Sequence, residues 1–236
     1  MPASARPARR LQLPAWLSRR RLLRILLILA LLPTGLILIY RFLPPPVTIL
    51  MLVRLVEGEG LDKSWRPLEA ISPRLAQAVI ASEDNRFCEH FGFDWQEIGG
   101  QIDRALAGRS ARGASTITQQ VVKNVLLWPG RDPVRKLLEA ALTPQLELFW
   151  SKRRIMEVYL NVAETGPGLY GAEAAAQHYF GRSARDLTRR QAALIAAVLP
   201  NPRIWSPAKP TRYIRRRADV IERRIGQLGP LLDCVG

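Results

Sequence analysis

Two cysteines, two histidines and a complete lack of acidic residues in the first 46 positions set the first limits on this 236-residue chain. Cys88 and Cys234 cannot make the disulfide framework that carries many small extracellular domains, and no required bridge is expected. His90 and His178 occur without a CxxC or HExxH pattern, so no zinc site is predicted and no residue is assigned to a metal. Internal repeats and low-complexity tracts are missing, and strict strand alternation is scarce. An apolar fraction of 48% excludes wholesale disorder. The length suits one folded core plus a short anchor better than two large domains.

What is present begins with charge. The net charge is +15, and residues 1–46 supply eight of those positive charges through Arg6, Arg9, Arg10, Arg19, Arg20, Arg21, Arg24 and Arg41. A basic tail can meet nucleic acid or anionic lipid, and its neighbour decides between them. Residues 22–43 form an apolar run long enough to cross a bilayer as a helix. Pro33 and Gly35 are better tolerated in membrane helices than in soluble ones. A cleaved signal peptide fits less well, because Leu43-Pro44-Pro45-Pro46 is no small-residue cleavage site. The arginines precede the run, so the N-terminus is expected in the cytoplasm and the remainder outside the cytoplasmic (inner) membrane, in the periplasm of a Gram-negative cell. The expected organisation is a basic tail (1–21), a transmembrane anchor (22–43), a juxtamembrane linker (44–67) and a catalytic domain (68–230). Within the linker, residues 47–53 read equally as a short strand or a membrane-surface segment.

From residue 72 the signals are helical. Ser72-Pro73 reads as an N-cap followed by proline at the first helical position. Leu75, Ala76, Val79 and Ile80 then share a face. Asp94 with Glu97, Thr116 before an apolar run, Asp132-Pro133, Ser151, and Thr188 with Gln191 mark further helix starts. The fold class predicted is mainly α.

Three constellations can carry chemistry. Glu83 lies four residues after Val79, on the apolar face of its helix, where desolvation would fit it to trade protons near neutrality. A salt bridge to Arg86 at a helix end explains the same spacing. The run from Gly113 through Ser115, Thr116, Thr118, Gln119, Gln120, Lys123 and Asn124, flanked by Arg112 and Arg131, gathers hydroxyls, amides and cations at a helix start, as sugar and phosphate oxygens require. A capped, solvated helix face accounts for it equally. Arg135 and Lys136 stand one turn before Glu139, in a pattern that also fits a surface ion pair.

Taken together these residues resemble the peptidoglycan glycosyltransferases. Glu83-Asp84-Asn85-Arg86-Phe87 with His90 and Gly92 is similar to the family's first signature, EDxxFxxHxG. Gly113 to Gln120 matches the second, GxSTITQQ, and Arg135 to Glu139 the third, RKxxE. Lys152 to Asn161 resembles the fourth, KxxILExYLN, with Met156 in place of a leucine, and Gly168 to Gly181 resembles the fifth. The five span roughly residues 68–229. Pro144 departs from the pattern, inside a helix of the family, and a kink is expected there.

The resemblance implies a lysozyme-like, two-lobed helical domain with one N-terminal transmembrane helix. It implies that lipid II is polymerised into β-1,4-linked glycan with inversion and release of undecaprenyl diphosphate. It assigns Glu83 as general base and Glu139 as the second acidic position. Lys123 and Arg131 fall to the diphosphate, and Ser115, Thr116, Gln119, Gln120 and Asn124 to donor positioning, beside the cations Arg135 and Lys136. No cofactor is obligatory, although a divalent cation (Mg or Mn) at the diphosphate is compatible with it. The partners implied are lipid II, the growing glycan, the bilayer and other cell-wall synthesis or division proteins. Two rivals use the same residues. A membrane-anchored, lysozyme-like lytic glycosidase would use Glu83 and Glu139 as its carboxylate pair. A nucleic-acid-binding membrane protein would use the basic surface, but no nucleic-acid motif is present. Ser206-Pro207-Ala208-Lys209 is formally an S-x-x-K, yet it sits among prolines without S-D-N or K-T-G partners, so a loop without transpeptidase activity is expected.

Overall fold

The computed structural model describes residues 19–110, 113–130, 132–228 and 233–235, without the side chains at 19, 22, 25, 26, 29 and 30. Most of the predicted basic tail, together with Arg112 and Arg131, lies outside the described residues. Ten α-helices and three short strands are found among them, so the fold is mainly α as expected.

Helix α1 (Arg19–Tyr40) leads into α2 (Ile49–Val56), then β1 (Asp62–Lys63). The segment open between strand and surface readings is thus a helix. Thr48 caps α2 by accepting from Met51 N, and Met51 is buried while Ile49, Leu52 and Val56 face outward. Among the described residues no helix is long and apolar enough to cross a membrane. The C-terminal half of α1 packs onto the domain: Ile37 is buried, Trp150 Nε1 donates to its carbonyl at 2.7 Å, and Thr34 Oγ1 donates to Gln145 at 2.8 Å.

The remaining helices follow as α3 (Pro73–Glu83), α4 (Trp95–Leu106), α5 (Ile117–Leu126), α6 (Pro133–Phe149), α7 (Lys152–Val162), α8 (Gly171–Phe180), α9 (Arg189–Val198) and α10 (Arg212–Ile225). The predicted caps hold at Asp94, Thr116, Asp132, Ser151 and Thr188, each accepting from a first-turn amide. Ser72 differs. It stands at the cap, but its hydroxyl donates to the Leu187 carbonyl at 3.2 Å instead, tying the start of α3 to the turn before α9. Helix α6 continues through Pro144 to Phe149.

Two groups of helices frame the site. In one, α3, α9 and α10 pack together; in the other, α5 packs against α2, α6 and α7. Strand β3 (Leu169–Tyr170) runs parallel to β1 and antiparallel to β2 (Glu164–Gly166). Gly168 makes that small sheet possible. Its φ is +67°, and a Cβ there would lie 2.0 Å from the Glu59 carbonyl oxygen.

Helix α10 escaped the sequence reading because arginines dominate it. Its buried face is nonetheless regular: Ile214, Ala218, Ile221 and Ile225 recur at helical spacing. Beyond it, Cys234 is bonded to Cys88, with 5.6 Å between Cα atoms across 146 residues of sequence. The expectation of no required bridge therefore meets a formed one. Two distant cysteines carry no pairing signal; the chain's return past α10 brings them together.

Candidate active site

The first two signatures are joined through Asp84. This buried carboxylate accepts from Ile117 N at 2.9 Å, at the positive end of α5, and contacts His90 Nε2 at 2.8 Å. Thr116 Oγ1 donates to the Gly92 carbonyl at 2.7 Å. Gly92 has φ +81°, and a Cβ on it would lie 2.6 Å from Thr143 Cγ2, so the histidine-to-glycine end of the first signature is seated on α6. These contacts fix the end of α3, and with it Glu83, relative to α5.

Glu83 is the last residue of α3, at the end of a helix whose Leu75, Ala76, Val79 and Ile80 are buried. Gln120 Nε2 donates to Oε2 at 3.2 Å, and Arg217 Nη2 to Oε1 at 3.4 Å. The alternative of an Arg86 salt bridge is not formed: Arg86 pairs with Glu89 and Asp94. Burial raises the Glu83 carboxyl above the ordinary carboxylate range, while the Gln120 hydrogen bond, then Arg217, then Lys123 pull it back. Tyr159 OH donates to Gln120 Oε1 at 3.2 Å, which turns the amide nitrogen toward Glu83. Burial, then the negative charges of Glu83 and Asp84, hold the Tyr159 phenol well above its ordinary value, so it stays protonated as that donor.

One helical turn after Gln120 comes Lys123. Among the described residues no carboxylate pairs with its ammonium, and burial lowers its pKa, against the pull of Glu139 and with the push of Arg135 and Lys136. Gln120, Lys123 and Asn124 line a cavity of about 280 Å³ whose far wall includes Tyr159, Glu164, Asn201 and Arg203. Glu139 is buried and already engaged: Arg135 Nη1 lies 2.5 Å from Oε2, and Lys136 Nζ contacts Oε1 while donating to Ser115 Oγ at 3.1 Å. Thr116 and Gln119 are occupied with each other in a capping box. The structure thus places Gln120, Lys123 and Asn124 on the cavity lining, with Glu83 hydrogen-bonded to Gln120 behind it. Ser115, Lys136, Arg135 and Glu139 form an adjoining ion-pair cluster. No group of three or more His, Cys, Asp or Glu gathers as a metal site among the described residues.

The fourth signature has a structural task. Lys152 Nζ donates to Glu147 Oε1 at 2.6 Å and lies 4.6 Å from the Phe87 ring centroid. Glu147 also accepts from Thr118 Oγ1 at 2.7 Å. Asn161 donates to the Arg66 carbonyl and accepts from Arg66 N, both at 2.8 Å. Lys152→Met is expected to lower stability by roughly 3–5 kcal/mol, because it strands the buried Glu147 charge. Thermal unfolding of the purified variant checks this, and an unchanged midpoint would remove Lys152 from that role.

Sequence reasoning missed Tyr159's polar role, Arg217, Glu164, Asn201 and Arg203. The Asn201-Pro202-Arg203 cluster after Pro200 was a legible turn signal, but nothing in it announces a cleft wall.

In this helical domain the desolvated Glu83 carboxylate at the end of α3 meets Gln120 of α5, one turn before Lys123, whose ammonium has no carboxylate partner among the described residues. The Transglycosylase family matches residues 51–225. The chain belongs to that family. It is 51% identical over 221 residues to a biosynthetic peptidoglycan transglycosylase of Caulobacter vibrioides, covering 93% of this chain and 96% of that protein. A protein of the same name from Rhodospirillum centenum is 54% identical over 207 residues, covering 87% and 90%. Another, from Rhizobium meliloti, is 51% identical over 223 residues, covering 93% and 94%.

Proposed function

We propose that this chain is a peptidoglycan glycosyltransferase of cell-wall biogenesis that polymerises lipid II into β-1,4-linked glycan, without transpeptidase activity. The observation that carries the reading is the pairing on α5: Gln120 holds the Glu83 carboxylate, and Lys123, one turn on, lines the cavity beside Gln120 with no carboxylate partner among the described residues.

In this mechanism the 4-hydroxyl of the acceptor's N-acetylglucosamine attacks C1 of the donor's N-acetylmuramic acid. Glu83 takes the hydroxyl proton, a task favoured by its raised pKa. The C1–oxygen bond breaks with inversion, and undecaprenyl diphosphate departs. Lys123 stabilises the developing diphosphate charge, with Arg131 as its partner in this role. Asn124 and Gln120 position the donor from the cleft wall, and Ser115, Thr116 and Gln119 shape the helix start beside it. Arg135 and Lys136 hold Glu139, which orients these cations. A divalent cation (Mg or Mn), if bound, would sit among diphosphate oxygens and supply further charge neutralisation.

The lytic glycosidase reading needs a second carboxylate able to activate water. Glu139 is instead buried between two cations. The domain is lysozyme-like in the sense of a helical cleft with one catalytic glutamate.

The chain is anchored in the inner membrane by residues 22–43, with its catalytic domain in the periplasm. Support comes from the N-terminal half of α1, where Leu27, Ile28, Leu31 and Leu32 are exposed, and from outward-facing Leu52 and Val56 on α2. Its partners are then the bilayer, lipid II, the growing strand and other wall-synthesis proteins.

The test is purified full-length chain with labelled lipid II, its products resolved on a gel with and without penicillin. A ladder of glycan lengths is expected, unchanged by penicillin. Ser206 lies in a loop, accepting a turn hydrogen bond from Lys209 N, and has no acylation partners. Soluble muropeptides released from purified wall without lipid II consumption would establish the glycosidase instead. A penicillin adduct on Ser206 by mass spectrometry would overturn the single-activity assignment.

A further inference from the structure

Helix α10 lies outside the chemistry-bearing signatures, yet it reaches the base. Arg217 and Arg224 are seven residues apart, so they project from one side of α10, flanking the buried stripe of Ile214, Ala218 and Ile221. Both land on the C-terminal end of α3. Arg224 Nη1 donates to the Ala81 carbonyl at 3.4 Å, one of the carbonyls that α3 leaves without an intrahelical partner. Arg217 Nη2 meets Glu83 Oε1 at 3.4 Å, on the oxygen that Gln120 does not occupy. Among the described residues Glu83 is the only carboxylate that Arg217 pairs with, and its Nε is buried without a hydrogen-bond partner. Among the described residues, the carboxylate this guanidinium meets is that of Glu83.

We propose that Arg217 is a positioning residue for the general base: from α10 it fixes the second oxygen of the Glu83 carboxylate and favours its ionised form. The inference rests on the assignment of Glu83 as base. Desolvation disfavours the ionised form of a carboxyl so placed, and a protonated base cannot accept the acceptor's proton. The charges facing Glu83 come from four helices. Lys123 and the Gln120 amide lie on α5, the Tyr159 hydroxyl on α7, Asp84 at the end of α3, and Arg217 on α10. From α9, Arg190 is engaged by Asp219 and Glu222. Among the described residues Arg217 and Lys123 are therefore the cations acting on the base, and Lys123 is committed to the leaving diphosphate. The Arg217 side chain is 23% exposed, so solvent screens part of its effect.

The experiment is the pH profile of lipid II polymerisation by full-length wild type, Arg217→Gln, Arg217→Lys and Glu83→Gln, with thermal unfolding of each. Arg217→Gln is expected to remain folded, to lose roughly three- to tenfold in kcat/KM at neutral pH, and to recover part of it at higher pH, because the acid limb moves up. Arg217→Lys is expected to restore most of the activity and to return the limb toward wild type. An unmoved acid limb in folded Arg217→Gln overturns the inference and leaves the base assignment standing. If Arg217→Gln unfolds below the assay temperature, the profiles are compared at a lower temperature where it is folded: an acid limb moved up supports the role, and one identical to wild type overturns it. Wild-type turnover by Glu83→Gln overturns the base assignment and this inference together.

Discussion

Glu83→Gln is expected to remove lipid II polymerisation almost completely, by roughly 10²–10⁴-fold, the scale of general base catalysis. The amide keeps the shape but can accept from only one of the two donors, Gln120 and Arg217, and it cannot take a proton. Its stability effect has the opposite sense. Burial raises the Glu83 pKa, and a group whose pKa is raised on folding adds stability below its unfolded pKa and loses it as pH rises through its folded pKa. The ionised carboxylate is therefore a cost to the fold, and the neutral variant is expected to gain in melting temperature relative to wild type as pH is raised. The gel assay and thermal unfolding together check this. Near-wild-type turnover in a folded Glu83→Gln enzyme would take the base role away from this residue.

The second large effect belongs to the leaving group. Lys123→Ala is expected to cut donor use by about ten- to a hundredfold, since one charge-assisted contact contributes roughly 1.5–3 kcal/mol. Arg131→Ala is expected to do the same. The fold should tolerate the loss of Lys123, because among the described residues no carboxylate depends on it. Kinetics with saturating acceptor and varied donor check the assignment. Normal polymerisation by both variants would sink it, and variants that digest finished glycan as well as wild type would return the glycosidase to first place.

These effects show what the sequence disclosed. Capped amphipathic helices were legible because each carried its own start signal and a regular apolar face; α3, α5, α6, α7 and α9 lie where those signals stand. Glu83, Gln120 and Lys123 were legible as types because their spacing along two helices puts them on defined faces. How the helices meet was not legible. Spacing alone left Glu83 with Arg86 as its natural partner, and only the packing of α10 on α3 replaced that neighbour with Arg217, 134 residues away. Nor could spacing show that Glu139 is clamped by its own preceding turn. The linker region hid α2 because seven mixed apolar residues carry too little periodicity to separate helix from strand. Helix α10 hid itself behind its arginines, although its stripe of isoleucines was there to be counted.

The Cys88–Cys234 bond gives α10 a second hold on α3. Secondary elements open locally, and each opening of α10 would withdraw Arg217 and Arg224 from α3. With Cys234 fixed to the loop that follows α3, such an opening is an intramolecular excursion. Return is then governed by an effective concentration on the order of millimolar. The bond persists only in an oxidising compartment. The redox state of the surroundings thus becomes a setting on how long Glu83 keeps its cationic companion, and the same chain held under reducing conditions would carry the same site with a looser grip on it.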